Sequence, residues 1–194
     1  MLEEVLGQST GSLTHLDLDS NSLGSDGVRR LAGVLSQCTA LRYLGLAANA
    51  VDDDGADIVV RVLRQCPALE ILDLMCNDIG CHGAGSLVRV LVVCTALTSL
   101  NLAYNRIHDS GAEIIAAVLG ECPKLKDLDL QDNSIGSVAN RRLSACCTGT
   151  LEVLVDEDFD SEEEDDDEEE ENDAEEEDDE EEEDWPGSSD GGWI

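Results

Sequence analysis

The sequence predicts an α/β solenoid, a short stack of parallel strands backed by helices, and three observations predict it. The pattern L-x-x-L-x-L-x-x-N occurs at Leu13–Asn21, Leu41–Asn49, Leu69–Asn77, Leu97–Asn105 and Leu125–Asn133. Its first leucine advances by 28 residues at every step. Within each step an alternating apolar segment precedes one of helical spacing. A fixed period of about 20–50 residues marks a repeat architecture in which neighbours bury one continuous core.

Each repeat reads in two halves. The first alternates like a strand: Leu13, Leu16 and Leu18 face inward, and His15, Asp17 and Asp19 face the other way. The second is helical, with Val28, Leu31, Ala32, Leu35 and Cys38 on one face and Ala56, Val59, Val60, Leu63 and Cys66 repeating it. Asp26, Asp54, His82 and Ser110 each precede a glycine, and the Asp and Ser members are expected N-caps. Pro67 and Pro123 follow helices and forbid their continuation. The asparagine column, Asn21, Asn49, Asn77, Asn105 and Asn133, lies where the chain turns away from the strand. A buried amide there offers donors and an acceptor to backbone groups that the strand ladder leaves over. Strands stack about 4.8 Å apart and helices about 10 Å, so the strands must line the inside of an arc. The expected form is a short right-handed horseshoe.

Residues 1–12 read as the end of a helix from a preceding partial repeat or cap, because Val5-Leu6-Gly7-Gln8-Ser9-Thr10 echoes Val34-Leu35-Ser36-Gln37-Cys38-Thr39. Residues 13–155 hold the five repeats and a terminal half-repeat, Leu151–Val155, set 26 residues after Leu125. The fifth repeat is degraded, with Ala139 in the glycine column and Asn140 at the first apolar helix position. Residues 156–194 form the tail. Between Asp156 and Asp184 only Phe159, Ser161, Asn172 and Ala174 are not acidic, leaving 25 acids among 29 residues. Like charges every ~3.4 Å, inside a Debye length of ~8 Å, predict an extended, disordered segment.

The whole chain carries a formal charge of −34, but residues 1–155 hold 19 acids and all 11 bases, a net of −8. An acidic chain of this kind does not bind nucleic acid, where Lys and Arg must meet phosphates. Cys38, Cys66, Cys94 and Cys122 also fall 28 apart, one per repeat. On stacked helices they sit roughly 10 Å apart, too far for a disulfide, which needs Cα atoms within about 7 Å. They read as small buried apolar groups in a reducing compartment, cytosol or nucleus. The N-terminus has no basic segment and apolar run of a signal peptide, and no stretch has the length of a membrane span.

The consensus at this period is that of leucine-rich repeats. The 28-residue step, with a full helix and a Cys or Leu near its end, resembles the ribonuclease-inhibitor class. The last half-strand running into an acidic block, Leu151–Glu171, resembles the C-terminal part of the Ran GTPase-activating protein family. That resemblance implies a regulator that docks a small GTPase. The family uses an arginine in a loop shortly after the asparagine of an early repeat, and the matching positions here are Ser25, Asp53, Cys81, Asp109 and Ser137. Arg106 is the only base in these loops and lies nearer its asparagine, so the activity is not carried over.

The candidate contact surface is the inner face of the strands. Its columns carry His15, Tyr43, Ile71, Ser99 and Asp127; then Asp17, Asp73, Asn101 and Asp129; then Asp19 and Met75; with Tyr104 and Asp132 just before the asparagines. An apolar centre, Tyr43, Ile71, Met75 and Tyr104, between acidic ends suits a protein partner with basic edges. Cys76, Cys81, His82 and His108 match no zinc spacing, so no metal is expected. No phosphate loop or nucleophile constellation occurs, so neither catalysis nor a cofactor is expected. Ser161, before three glutamates, resembles an acidophilic kinase site. Three readings follow: a monomeric protein-binding scaffold whose tail adds attraction to basic surfaces, a regulator of a small GTPase, and an acidic chaperone of basic proteins.

Overall fold

The computed structural model describes residues 10–147 and 150–156. The terminal segments, with Ser161 and the expected N-terminal helix end, lie outside the described residues. Among the described residues six strands alternate with five helices: β1 (His15–Asp17), α1 (Gly24–Leu35), β2 (Tyr43–Gly45), α2 (Asp53–Leu63), β3 (Ile71–Asp73), α3 (Cys81–Val93), β4 (Ser99–Asn101), α4 (Asp109–Leu119), β5 (Asp127–Asp129), α5 (Ser137–Cys146) and β6 (Glu152–Leu154). The strands form one open parallel sheet in chain order. Each helix packs on the helix before and after it, so the solenoid has a strand side and a helix side.

The strands are three residues long because only that much of each repeat alternates. Their central leucines, Leu16, Leu44, Leu72, Leu100 and Leu128, are buried, as are Leu18, Leu46, Leu74, Leu102 and Leu130 two residues on. Helix faces meet them with Val28, Leu31 and Leu35, then Ala56, Val59 and Leu63, and their successors. A further core column, Val51, Ile79, Ile107 and Ile135, closes the loop side of the core. The cysteines Cys38, Cys66, Cys94 and Cys122 are buried free thiols. The Sγ–H of Cys66 reaches Leu35 O (3.5 Å) and that of Cys94 reaches Leu63 O (3.6 Å), one repeat back. Burial pushes both thiols up to about 11.

Two expectations need correction. The helices begin earlier than the Asp/Ser–Gly pairs implied. Asp26, Asp54, His82 and Ser110 sit within the first turn, and the caps are Leu23, Asp52, Gly80, His108 and Gly136. Only Asp52 caps through its side chain, accepting from Gly55 N at 3.0 Å. The glycines are there for packing: a Cβ on Gly83 would meet Asp53 Oδ1 at 2.5 Å and Ile79 Cγ2 at 2.8 Å. The second correction concerns the last strand. β6 pairs Asp127 with Glu152 and Leu128 with Val153, a step of 25 residues, not 28 or 26. Val153 therefore takes the inward place of the leucines, and Leu154 turns to the inner surface, 41% exposed.

Candidate functional site

The ladder that aligns the strands also aligns the inner-face side chains. His15, Tyr43, Ile71, Ser99, Asp127 and Glu152 share one register, and Asp17, Gly45, Asp73, Asn101, Asp129 and Leu154 share the next. Asp19 and Met75 stand two residues further along their repeats, beyond the strand ends. Ile71 (39%) and Tyr104 (51%) are exposed, while Tyr43 and Met75 are half-buried. Tyr43 stacks on His15 with ring centroids 6.1 Å apart and planes 20° from parallel.

Tyr104 projects for a backbone reason. It and its equivalents Ser20, Ala48, Cys76 and Asp132 all have φ between 52° and 59°. This left-handed turn is unusual for non-glycine residues. The next repeat holds it: the N–H of Ser20, Ala48, Cys76 and Tyr104 donates to Ala47, Met75, Ala103 and Gln131 O at 2.8–2.9 Å.

The acidic column has a structural share in the fold. Asp17, Asp73, Asn101 and Asp129 each accept, through Oδ1, the N–H two residues ahead at 3.0–3.1 Å. One oxygen of each aspartate, and the single oxygen of Asn101, is therefore used to end its strand. Asp19 is also engaged, accepting Ala47 N at 2.7 Å. Asp73 sits in the middle of the face that composition marked as apolar. Burial, and then the carboxylates of Asp19, Asp129 and Asp17, push its carboxyl above the ordinary range. Burial and the carboxylates of Asp19, Asp17 and Asp73 likewise raise the Tyr43 phenol. The Tyr104 hydroxyl bonds to the Asp132 carboxylate, which raises its phenol too.

No base lies on this face. Arg29 and Arg30 are on α1, Arg61 on α2 with Arg64 at its end, Arg89 on α3, and Arg141 and Arg142 on α5. Arg42, Lys124, Lys126 and Arg106 are in loops entering or leaving strands. Arg42 pairs with Glu70 (2.5 Å) and Arg106 with Asp78 (2.6 Å).

At the C-terminal end the face holds a hollow of about 220 Å³. Ser99, Asn101, Asp127 and Asp129, all foreseen in the sequence, line it together with Glu152 and Leu154, which were not. These two were missed because aligning Leu151 with Leu125 puts β6 one residue out of register; the alternation of Leu151, Val153 and Val155 against Glu152 and Leu154 was the signal. Asp156, the first residue of the acidic run, accepts Asp132 N through both oxygens (3.1 and 2.8 Å).

The asparagines lie behind the face. Asn77 Nδ2 donates to Leu46, Leu74 and Met75 O, and its Oδ1 accepts Asn49 N and Val51 N. Asn49, Asn105 and Asn133 make the same kind of bridge between repeats and are buried, while Asn21 is exposed.

Residues 12–32, 65–88, 93–116 and 121–139 match the family model described as Leucine Rich repeat. The repeats of this chain are leucine-rich repeats. No curated protein matches the sequence. Solved structures share the leucine-rich repeat fold. The tropomodulin C-terminal domain of Caenorhabditis elegans is 15% identical with a TM-score of 0.61, over 74% of this chain and 87% of that one. The actin-binding site 2 of leiomodin-1 is 17% identical with a TM-score of 0.59, over 74% and 84%. At such identity the likeness is one of fold.

The loop positions that would carry a catalytic arginine join one leucine-rich repeat to the next. Asp53 Oδ1 accepts Gly80 N (2.7 Å), Asp109 Oδ1 accepts Gly136 N (2.6 Å), and Ser25 bonds to Asp52. Cys81 takes the same place: against the upward push of burial, the Ser110 hydroxyl and the N–H groups of His108 and Gly111 hold its thiol below its usual value. Among the described residues no group of His, Cys, Asp and Glu could hold a metal, and no helix is long and apolar enough to cross a membrane.

Proposed function

We infer that this chain is a non-catalytic binding module that takes a protein with a basic surface on the inner face of its strands. One observation carries the reading: all 11 Lys and Arg residues lie on helices and loops, while the inner face presents Asp17, Asp19, Asp73, Asp127, Asp129 and Glu152 around exposed Ile71, Tyr104 and Leu154. Apolar anchors within a rim of one charge give affinity at the centre and orientation at the edge. The acidic run after residue 156 adds long-range attraction, felt mainly in association rate and lost with salt.

The test is capture of partners by the full chain and by two surface variants. Ile71→Arg with Tyr104→Arg alters the inner face, and Val138→Arg alters a 59% exposed site on α5. Loss of a partner with the first and retention with the second is expected; retention with both would overturn the reading. Actin belongs among the purified probes, since one similar structure is an actin-binding site. Adding the full chain to GTP-loaded Ran tests the regulator implied by the resemblance, and unchanged hydrolysis removes it.

A further inference from the structure

The acidic residues of the inner face are not equivalent, and the difference locates where a partner is held. At the β1–β2 end the space is already filled. A Cβ on Gly45 would meet Asp19 Oδ1 at 2.7 Å and the Tyr43 hydroxyl at 2.9 Å. Asp17 and Asp19 there both accept backbone N–H groups. At the β4–β6 end the register sets Asp127 directly beside Glu152 on neighbouring strands. Such strands lie about 4.8 Å apart, and like charges in directly opposed positions repel. Among the described residues neither carboxylate has an ion pair.

Between them is the hollow. Its floor is strand backbone at residues 99–101 and 127–129, since the Leu100 and Leu128 side chains turn to the core, and one wall is Leu154, 41% exposed. At about 220 Å³ it is smaller than the ~300–1,000 Å³ of small-molecule sites and suits one side chain. An exposed apolar wall, Leu154, beside a carboxylate rim fits an aliphatic stem that ends in a cation. Among natural side chains only lysine and arginine have that form.

Building on the proposed function, we propose that the β4–β6 end of the inner face is a socket for one lysine or arginine of the partner, and that this contact sets the partner's register on the face. The cation removes the Asp127–Glu152 repulsion, its stem packs on Leu154, and the second oxygen of Asp129 completes the charged rim. The 25-residue step creates the socket, because it brings Glu152 and Leu154 onto the inner face.

The probe is N-acetyl-lysine-amide, with N-acetyl-glutamine-amide as the neutral control, titrated into the full chain and followed by amide NMR. The expected result is saturable shifts at residues 99–101, 127–129 and 152–154 with the lysine probe alone. They should fall at least tenfold in Asp127→Asn with Glu152→Gln and persist in Asp17→Asn with Asp19→Asn. The first pair should also keep or raise the melting temperature, since it removes a like-charge contact, so lost binding is separable from lost folding. Shifts spread evenly over Asp17, Asp19 and the β4–β6 end would overturn the socket while leaving the acidic face as a binding surface. Absence of inner-face shifts would overturn the socket outright, and the capture experiment would then judge the face independently. In that experiment the Asp127/Glu152 pair should weaken the partner at least tenfold more than the Asp17/Asp19 pair; equal weakening counts against the socket alone.

Discussion

Replacing Asn77 by alanine tests the account of how the repeats are joined. The Asn77 amide is 7% exposed and meets two repeats at once. Its Oδ1 is the acceptor for the N–H of Asn49 (3.1 Å) and of Val51 (2.9 Å), both buried, and its Nδ2 reaches Leu46 O (3.0 Å). Alanine strands both N–H groups. At about 1–3 kcal/mol for each unsatisfied buried group the cost is about 2–6 kcal/mol, and partial relaxation points to the middle of that interval, about 3–4 kcal/mol. Asn21→Ala is the control. Asn21 is exposed, its Nδ2 donates to Leu18 O and Asp19 O within its own repeat, and its loss should cost less than about 1 kcal/mol. Asn77→Asp separates the two halves of the interaction: it keeps the acceptor but sets a carboxylate against three carbonyls, and should also destabilise. Urea unfolding of the full chain, followed by circular dichroism, reads each cost from the midpoint and slope. If Asn77→Ala is as mild as Asn21→Ala, the amide does not join the repeats and the reasoning fails.

Other outcomes follow from the same packing. Gly83→Ala should cost about 1–3 kcal/mol by overpacking against Asp53 and Ile79, whereas Gly33→Ala, on α1 with nothing within 4 Å of the added Cβ, should stabilise by about 0.4–1 kcal/mol; thermal melts compare them. At pH 8 the exposed thiols of Cys76 and Cys147 should alkylate in the native chain, while Cys66 and Cys94, pushed up to about 11, should label only on unfolding, as peptide mass mapping would show. The Ser25 hydroxyl, and then the Gly55 N–H, hold the Asp52 carboxyl below the usual carboxylate range. Its contribution is therefore present above the unfolded value and lost as pH falls through the folded one, and Asp52→Ala, which also removes a helix cap, should cost about 1 kcal/mol near neutrality and less in acid. Asp73 has the opposite sign. Its raised carboxyl favours the folded chain below the unfolded value, and that contribution is lost as pH rises through the folded one, so carboxyl NMR should find it titrating above the usual carboxylate range.

The repeat boundaries, the inward leucines and the buried amide column were legible because each rests on local periodicity repeated at one spacing. Helix starts were less so. Asp26 and Asp54 have the chemistry of caps, but the glycine after each is in close contact, Gly27 with Leu23 of its own repeat and Gly55 with Val51 and with Ser25 of the repeat before, and the first turn begins earlier. Alternation placed the inner-face positions of β1–β5 and missed Glu152 and Leu154 of β6. Asp73 lies in the third of five repeats, between the apolar Ile71 and Met75, and it is the arc that brings the carboxylates of Asp19, Asp129 and Asp17 to act on it there.

The sequence by itself determined the architecture, because a 28-residue period that repeats apolar columns on its strand, turn and helix can bury its core only by stacking. It also determined which residues share the inner face, since side-chain direction in a strand alternates with a period of two. Tertiary structure alone decided the last register. The ladder to β5 sets Val153, not Leu154, opposite Leu128, and with that single choice Glu152 and Leu154 turn inward and a hollow opens beside Asp127. A slip of one residue exchanges the two faces of a strand, and which slip is adopted depends on hydrogen bonds and packing supplied by the neighbouring repeat.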